Sequence, residues 1–287
     1  MTFLQLYNKI KSEYDKSAPR IKEYFSLQTL LNELYVKYGL QKAQHILSPD
    51  KEVENHKVIT DDALRALGGY PLQYVMGRTE FWNCEFYVGE GVLIPRSDTE
   101  ISVEKAIERL KDGDVVYDLC CGSGCIGISL LKNSRISCCY CADISSVALE
   151  YTKKNGILNG VSDRLEVMEC DVTKKDCFSG IPPADLIISN PPYLTTDEMK
   201  HIPGNVRYEP EIALDGGDDG CDFYRRIIDN FTPKLKDGGY MIFEIAPTQS
   251  EILKALFTSH GYTAQVYPDY RGNLRTVCGK KKKTIEI

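Results

Sequence analysis

Hydrophobic side chains recur at intervals of three and four residues through the N-terminal part of the chain. This spacing is typical of helices that present one apolar face to a core. One such series is Tyr24, Leu27, Leu31, Leu34 and Tyr38. Ser48-Pro49-Asp50 predicts a helix start, and Gly39 and Gly68-Gly69 predict helix ends. We therefore expect a small helical domain at the N-terminus.

The pattern changes after this segment. Thr79–Ile94 mixes aromatic and β-branched residues around Gly89-Glu90-Gly91, which predicts a β-hairpin with its turn at those glycines. Short apolar runs then alternate with stretches of helical spacing. The predicted strands are Val115–Cys120, Ile136–Ala142, Leu165–Cys170, Asp185–Ser189, Tyr240–Ile245, Thr263–Tyr267 and Leu274–Cys278. Predicted helices include Glu100–Leu110, Cys221–Leu235 and Thr248–Ser259.

Alternating strands and helices predict an α/β fold with a parallel sheet that is covered by helices on both faces. In such sheets, ligands bind beyond the carboxyl ends of the strands, near the point where the strand order reverses. We therefore expect the functional residues in the loops that follow the strands.

Composition narrows the class of protein. The 287 residues are 43% hydrophobic and 26% charged, as in ordinary globular proteins, and no apolar run is long enough for a membrane-spanning helix. The N-terminal sequence is charged in its first turns and lacks an apolar signal core, so we do not expect secretion. The net charge of −6 argues against direct binding of nucleic acid. The basic run Lys280–Lys283 is most simply a solvated tail.

The chain has 11 cysteines. Six lie close together in the sequence: Cys120, Cys121, Cys125, Cys138, Cys139 and Cys141. Repeated C-x-x-C spacing and adjacent histidines, which are typical of zinc sites, are absent from this group. Because most of these residues fall in apolar runs, we expect reduced, buried thiols and no metal site. Reduced thiols in turn favour a cytoplasmic protein.

A glycine-rich turn follows the first predicted strand. Gly122-x-Gly124-x-x-Gly127 matches the dinucleotide fingerprint, and Asp143 follows at about the expected 20 residues. An acid at the end of the second strand can accept hydrogen bonds from ribose hydroxyls, which both NAD and S-adenosylmethionine carry. Asp118 favours S-adenosylmethionine, because a carboxylate attracts its cationic amino acid end and repels a pyrophosphate.

Asn190-Pro191-Pro192-Tyr193 ends the predicted strand Asp185–Ser189, since two prolines cannot continue a central strand. The Asn190 side-chain carbonyl and the Pro191 main-chain carbonyl can accept the two protons of an amide or an exocyclic amine. Pro192 holds residue 191 extended, and Tyr193 can cover a planar group. Together they predict methyl transfer to such a nitrogen, in which positioning supplies much of the rate.

With these residues in order, the chain resembles the release factor glutamine methyltransferases (the PrmC/HemK family) across nearly its full length. Asn-Pro-Pro-Tyr alone is shared with adenine-N6 and other amino-methyltransferases, whereas the ordered set is highly specific. Besides the glycine turn and Asn-Pro-Pro-Tyr, the set contains Pro71-Leu72-Gln73-Tyr74, Phe81-Trp82, Val92-Leu93-Ile94-Pro95-Arg96, Thr99-Glu100, Asp143-Ile144-Ser145, Glu211-x-Ala213-Leu214-x-Gly216-Gly217 and Asp219-Gly220-x-Asp222-Phe223-Tyr224.

The resemblance implies a helical substrate-recognition domain at residues 1–75, a linker and β-hairpin at 76–98, and a class I (Rossmann-like) methyltransferase domain dependent on S-adenosylmethionine at 99–287. It also implies N5-methylation of the glutamine in the Gly-Gly-Gln loop of peptide chain release factors. The products would be N5-methylglutamine and S-adenosylhomocysteine. Release factors would be the partners, with no direct nucleic-acid contact and no membrane.

By position, the resemblance implies that Asn190, Pro191 and Tyr193 act in catalysis and that Asn190, Pro191, Pro192 and Tyr193 hold the glutamine. The expected cofactor contacts are Asp118, Cys120, Cys121, Gly122, Ser123, Gly124, Asp143, Ile144, Asp171, Val172 and Asn190.

Four positions depart from the family pattern. Cys120 stands where glycine is usual and could crowd the methionine part of the cofactor, and Cys121 stands where a small hydroxyl residue or similar is usual. Val172 stands where a bulky residue is common and gives a thinner wall for the adenine, and Ser97 replaces a proline. These departures motivate a non-catalytic binding protein as one alternative. The others are an amino-methyltransferase acting on adenine or guanine in nucleic acid, and a dehydrogenase.

For several other charged residues, the sequence allows two interpretations. Arg96 and Glu100 either shape the substrate entrance or form a surface ion pair. For Asp215–Asp219, a loop and helix cap is favoured over a cation site. For Glu244, at the end of a predicted central strand, a structural role is favoured over one beside the active site.

Overall fold

The computed structural model describes residues 1–175 and 177–283. The chain divides into two compact units. One comprises Met1–Arg78 together with Pro203–Tyr208, and the other comprises Thr79–Ile202 and the chain from Glu209 onwards. The first unit therefore includes a late segment that the sequence pattern does not assign to it.

The first unit is helical, as its periodicity predicts. Its core contains Leu30, Leu31 and Leu34 from one helix and Leu6 and Ile10 from another, all fully buried. The helices are α1 (Phe3–Lys16), α2 (Pro19–Tyr24), α3 (Leu27–Lys37), α4 (Gln44–Leu47), α5 (His56–Leu67) and α6 (Leu72–Met76).

The predicted helix start at Ser48-Pro49-Asp50 is wrong, because α5 begins only at His56. The intervening backbone runs beside the N-terminal segment instead. Leu4 N donates to Pro49 O at 3.0 Å, and Val53 N donates to Met1 O at 2.9 Å. These main-chain bonds satisfy polar groups that a helix would otherwise have paired. The predicted helix ends at Gly39 and Gly68 are confirmed to within two residues.

A buried carboxylate and its lysine partner join three of these helices. Asp62 on α5 is 6% exposed and accepts hydrogen bonds from Lys37 Nζ at 2.6 Å and from Tyr38 Oη at 2.7 Å. Lys37 also donates to the main-chain oxygen of Val75 on α6 at 2.6 Å. Asp62 therefore fixes α3 against α5 by charge-assisted hydrogen bonds, and Lys37 links α3 to α6.

After these helices, the chain forms a β-hairpin from β1 (Arg78–Phe81) and β2 (Cys84–Tyr87). The turn predicted at Gly89-Glu90-Gly91 is wrong, because the hairpin turns at Trp82-Asn83. Both residues have positive φ, 47° and 57°, as a two-residue type I′ turn requires. Asparagine is common in that region of φ, but tryptophan gives no signal for it.

The remaining elements alternate along the chain. They are α7 (Glu100–Ile107), β3 (Val115–Leu119), α8 (Cys125–Asn133), β4 (Cys138–Asp143), α9 (Ser146–Leu158), β5 (Leu165–Glu169), β6 (Ala184–Ser189), α10 (Thr196–Met199), α11 (Asp222–Phe231), β7 (Leu235–Glu244), α12 (Ser250–Ser259), β8 (Tyr262–Pro268) and β9 (Leu274–Lys281). Each predicted strand is present, with its ends shifted by a few residues.

Within the described residues, seven strands form one sheet in the order β5-β4-β3-β6-β7-β9-β8. The pairs from β5 through β7 are parallel. The expectation of a parallel sheet fails at one edge, where β9 pairs antiparallel with both β7 and β8. A short turn joins β8 to β9 without a helix, so the second strand must run back along the first.

Successive side chains of the central strands pack on opposite faces of the sheet. On β3, Val116 packs in one apolar cluster and Tyr117 in the other. On β6, Leu186 and Ile188 belong to the first cluster while Ile187 belongs to the second. Since neighbouring side chains of a strand point to opposite faces, helices on both sides are needed to bury them.

Asp62→Ala should destabilise the packing of α3 on α5, because it leaves Lys37 and Tyr38 without their shared acceptor. We expect the free energy of opening to fall by roughly 2–3 kcal/mol. Hydrogen-exchange mass spectrometry of peptides from α3 and α5 measures this change. Asp61→Ala, at the exposed neighbouring position on α5, is the matched control. Equal protection in both variants would contradict the assignment.

Candidate active site

A cavity of about 320 Å³ lies among the loops that follow β3, β4, β5 and β6. Its walls include Cys120–Ser123 after β3, Asp143–Ser145 after β4, Cys170–Thr173 after β5, and Asn190 and Pro192 after β6. This volume is within the range of small-molecule sites. The cavity lies where the sequence predicts functional residues, because the strand order reverses between β3 and β6.

Neighbouring elements hold the glycine turn in place. Gly122 N donates to Asp143 Oδ2 at 2.9 Å, and Thr152 Oγ1 donates to the oxygen of Gly122 at 2.9 Å. Asn155 Nδ2 donates to the oxygen of Ser123, also at 2.9 Å. The turn is thus fixed by β4 and α9, which lets its backbone form a rigid cavity wall.

Two residues of the turn region show why glycine is usual there. Cys120 adopts φ of 57°, a left-handed conformation that is strained for a side chain with a Cβ. A Cβ at Gly127 would lie 2.8 Å from Cys139 Sγ and 3.1 Å from Asp118 Oδ2, so only glycine lets α8 approach the sheet this closely. Burial raises the pKa of Cys120 well above that of a free thiol, which makes it a poor nucleophile.

Asp118 lies in the core under the turn. It is fully buried, and its Oδ2 accepts a hydrogen bond from Gly127 N at 2.9 Å. Oδ1 has no partner among the described residues. Burial raises the pKa of Asp118 to about 7, and the main-chain donor at Gly127 opposes this shift. The carboxyl therefore caps the beginning of α8 and is not one of the residues that line the cavity.

The residues present fit an adenosyl group. Each oxygen of Asp143 accepts one main-chain bond, Oδ2 from Gly122 and Oδ1 from Ser145, so lone pairs remain for ribose hydroxyls. Ser123 lines the cavity, and its buried hydroxyl has no hydrogen-bond partner among the described residues. Ile144 and Val172 add apolar wall.

Several hydrogen bonds fix the Asn-Pro-Pro-Tyr turn. Ser189 Oγ donates to the oxygen of Leu119 at 2.6 Å, which joins the ends of β6 and β3. Gln249 Nε2 donates to the oxygen of Tyr193 at 2.9 Å. A Cβ at Gly216 would lie 2.8 Å from the oxygen of Pro192, so a glycine loop packs directly on the turn. The prolines are therefore held from both sides.

The side chains of the turn have separate surroundings. Asn190 and Pro192 line the cavity, and Asn190 Nδ2 donates to Thr99 Oγ1 at 3.4 Å. Tyr193 is not among the lining residues, and its hydroxyl donates to Glu244 Oε1 at 3.3 Å. Sequence analysis favoured a structural role for Glu244. The carboxyl is buried and accepts from the Tyr193 hydroxyl, and its role stays a prediction.

Arg96 and Glu100 do not form the ion pair that sequence analysis considered. Arg96 lines the cavity and pairs with the buried Glu209, which also accepts a hydrogen bond from Ile94 N at 3.0 Å. Glu100 Oε1 accepts from the main-chain N–H of Trp82 at 3.0 Å. Sequence reasoning missed Glu209. Its position before Pro210 and Glu211 is the one signal that could have drawn attention to it.

Most of the predicted site residues meet at the cavity. Those that line it are Cys120, Cys121, Gly122, Ser123, Asp143, Ile144, Asp171, Val172, Asn190 and Pro192. Those that do not are Asp118, Gly124, Pro191 and Tyr193. Gly124 precedes α8 with φ of 77°. The functional roles of all these residues stay predictions.

The acidic loop and the cysteines also have defined places. Asp215 Oδ1 accepts from Gly217 N at 3.0 Å, and Asp219 pairs with Arg225, as in a loop with a helix cap. The six clustered cysteines are free thiols. Cys170 and Cys177 form a disulfide with a Cα–Cα distance of 5.4 Å, which sequence analysis did not anticipate.

In the described part of the chain, every helix falls short of the length and apolar character needed to span a membrane.

Comparison with known proteins identifies relatives over most of the chain. A family model for the methyltransferase small domain matches residues 99–203. A release factor glutamine methyltransferase of Clostridium acetobutylicum is 34% identical over 262 residues, which cover 85% of this chain and 90% of that protein. One from Moorella thermoacetica is 38% identical over 218 residues, which cover 74% and 75% of the two chains.

Among solved structures, Methanocaldococcus jannaschii Trm5 in complex with adenosine is similar with a TM-score of 0.50 and 14% identity. The match covers 73% of this chain and 55% of that chain. At this identity the likeness concerns the fold alone. Together with the family model, it confirms the predicted α/β methyltransferase fold.

Asp118→Asn should change how stability depends on pH. Because the pKa of Asp118 is raised in the folded chain, the folded chain keeps a proton that the unfolded chain loses above about pH 4. Wild-type stability from this group therefore falls as pH rises from about 4 to about 7. The asparagine variant lacks this loss, so its advantage over the wild type should grow across that interval.

Urea unfolding at several pH values measures the difference between the two proteins. Asp112→Asn, which changes an exposed aspartate, serves as the control. Other buried acids are present in both proteins and cancel in the comparison. A difference that stays constant with pH would contradict the buried, protonated state of Asp118.

Proposed function

The chain belongs to the release factor glutamine methyltransferase family, and from this premise we propose that it methylates N5 of the glutamine in the Gly-Gly-Gln loop of peptide chain release factors. The methyl donor is S-adenosylmethionine, and the products are N5-methylglutamine and S-adenosylhomocysteine. The observation that carries the proposal is that the Asn190 carboxamide and the Asp143 carboxylate line one cavity.

The two ends of the cavity bind different groups. Asp143, Gly122 and Ser123 hold the adenosyl end of the cofactor, with ribose hydroxyls on the Asp143 carboxylate. Asn190 and the Pro191 carbonyl receive the glutamine. The reacting carbon is supplied by S-adenosylmethionine when bound, as a methyl group on a cationic sulfur.

The chemistry required of the protein is to orient a weak nucleophile. The lone pair of an amide nitrogen is delocalised into the carbonyl group. When Asn190 Oδ1 and the Pro191 oxygen accept the two N–H protons, the nitrogen is held with its face towards the methyl group. One proton must leave the nitrogen after the N–C bond forms, so the overall reaction releases the methylated amide, the thioether and one proton.

Recognition of the release factor belongs to the helical segment at residues 1–75. This segment carries none of the residues that line the cavity. It exposes apolar side chains that its own core leaves uncovered, with Ile46 at 70% and Leu47 at 72% exposure on α4. Apolar residues at such exposure are a normal feature singly, whereas an adjacent pair offers a contact to a protein partner.

Labelled methyl groups should pass from S-adenosylmethionine to an unmodified release factor, and not to the same factor carrying Gln→Ala in its Gly-Gly-Gln loop. Asn190→Ala should lower kcat/KM on the order of 100-fold or more, the scale of one lost hydrogen-bonding group at a reacting centre. Binding of S-adenosylmethionine, measured by calorimetry, should weaken much less than kcat/KM falls, because Asn190 is one of many expected cofactor contacts.

Asn133→Ala, at the end of α8 and outside the cavity, is the matched control and should keep wild-type activity. Transfer to an oligonucleotide without transfer to the release factor would instead identify a nucleic-acid amino-methyltransferase. Full activity of Asn190→Ala would exclude the role given to its carboxamide.

Ile46→Ser combined with Leu47→Ser should raise KM for the release factor several-fold and leave kcat and cofactor affinity unchanged, since the change removes apolar contact and no reacting group. Steady-state kinetics with varied release factor measures this split. Leu64→Ser, at another exposed apolar position on α5, tests whether the effect is specific to α4. An unchanged KM in the double variant would count against recognition through this surface.

A further inference from the structure

The two prolines of the Asn-Pro-Pro-Tyr turn cannot hold themselves in place. Pro191 and Pro192 have no main-chain N–H to donate, so the position of the Pro191 oxygen depends on how the residues beside them are held. Ser189 fixes one side through its hydrogen bond to the end of β3. We propose that Gln249 fixes the other side, at Tyr193, and is a positioning residue of the methyl-transfer step. This inference rests on the proposed function.

Gln249 lies behind the cavity wall. It ends the short 3-10 helix Pro247–Gln249 between β7 and α12, and its side chain is buried, with 3% of the residue exposed. It is not among the residues that line the cavity. Any effect of Gln249 on the bound glutamine must therefore pass through the residues that it contacts.

Three main-chain groups meet the carboxamide of Gln249. Its Nε2 donates to the oxygen of Tyr193 at 2.9 Å and to the oxygen of Gly220 at 3.0 Å. Its Oε1 accepts from Ala246 N at 2.9 Å. Because a carbonyl oxygen can only accept and a main-chain N–H can only donate, these partners fix the orientation of the carboxamide. No other uncharged side chain of this length offers two donors and an acceptor.

The second carbonyl belongs to a loop that packs on the motif. Leu194 N donates to Leu214 O at 2.9 Å, and Gly216 N donates to Leu194 O at 2.8 Å. A Cβ at Gly220 would clash with the oxygen of Tyr193, so only glycine lets the loop come this close. Residues on both sides of this loop line the cavity. One carboxamide therefore joins the motif to a second part of the cavity wall.

Anchoring both ends of the motif fixes the groups between them. The rigid prolines leave few free dihedral angles between Ser189 and Tyr193. The Pro191 oxygen and the Asn190 carboxamide then keep constant positions relative to the methyl donor. Without the anchor at Tyr193, these acceptors can move away from the amide protons of the glutamine. A displacement on the order of 1 Å is enough to lower the rate about 100-fold.

Gln249→Met and Gln249→Glu remove the anchor in two ways. Methionine has a similar length and makes none of the hydrogen bonds, whereas glutamate keeps the acceptor for Ala246 N and loses the two N–H donors. In both variants kcat should fall about 10- to 100-fold. KM for the release factor and the dissociation constant of S-adenosylmethionine should change much less, because the side chains that line the cavity are unchanged.

Tyr262→Phe is the matched control for the loss of a buried hydrogen bond. The Tyr262 hydroxyl donates to Thr232 Oγ1 at 2.9 Å, and the residue lies on the edge strand β8, outside the cavity. This variant should unfold at a lower urea concentration than the wild type and keep wild-type kcat. It therefore separates a loss of stability from a loss of position.

A direct readout of the anchor does not depend on turnover. Tyr193-Leu194 is the only Tyr-Leu pair in the sequence. Protein labelled with ¹³C at the tyrosine carbonyl and with ¹⁵N in leucine therefore gives a single carbonyl–amide correlation by NMR. The Tyr193 carbonyl signal should shift in both Gln249 variants and stay in place in Tyr262→Phe.

An unchanged Tyr193 signal, or wild-type kcat in a Gln249 variant that folds, would overturn the inference. A loss of kcat of the same size in Tyr262→Phe, or failure of both Gln249 variants to fold, would assign Gln249 to stability alone and overturn it too. A wild type that labels no release factor would overturn the proposed function, and the carbonyl signal would still test the anchor at Tyr193.

Discussion

The reversal of strand order between β3 and β6 is the constraint on which the site depends. From β3 the chain builds outward through β4 to β5, and then returns to place β6 on the other side of β3. The loops after β3 and β6 therefore diverge and leave a crevice at the carboxyl ends of the strands. The glycine turn lies on one side of this crevice and Asn190 on the other. A ligand held by the glycine turn and a group held by Asn190 can therefore meet between loops of fixed position.

This edge of the sheet concentrates acids that are buried or partly buried. Burial raises the pKa of Asp118, Asp143 and Glu244, so each carboxyl costs free energy that hydrogen bonds only partly recover. Asp118 holds the start of α8, Asp143 holds the glycine turn, and Glu244 contacts Tyr193. Each acid fixes the position of a cavity wall or of a neighbour of that wall. Burying these carboxyls therefore lowers the free energy of unfolding, while their hydrogen bonds fix the geometry of the cavity.

Local patterns predicted the fold well, because apolar periodicity reports burial directly. The strands from β3 to β9 appear where apolar runs are bounded by turn residues, and the glycine turn is recognisable from its own spacing. The hairpin turn at Trp82-Asn83 was missed, since a tryptophan at positive φ is selected by packing and leaves no turn signal. The antiparallel edge strand was also missed, because strand direction depends on how the last connection crosses the sheet.

The chemistry of the site was less predictable, because its contacts join distant parts of the chain. Asn190 and Thr99 are separated by 91 positions, and Tyr193 and Glu244 by 51. Neither spacing leaves a trace in local sequence. The motif residues were identified from their resemblance to a family and from donor and acceptor chemistry. Their supporting residues became apparent only when the sheet register brought β6 and β7 together.

The position of the transferred methyl group tests the account most directly. Tandem mass spectrometry of a release factor treated with the enzyme and S-adenosylmethionine locates that group on a single side chain. The account predicts one added methyl on the side-chain nitrogen of the glutamine in the Gly-Gly-Gln loop. A methyl group on any other residue, or a release factor that stays unmodified beside an active enzyme, would contradict it.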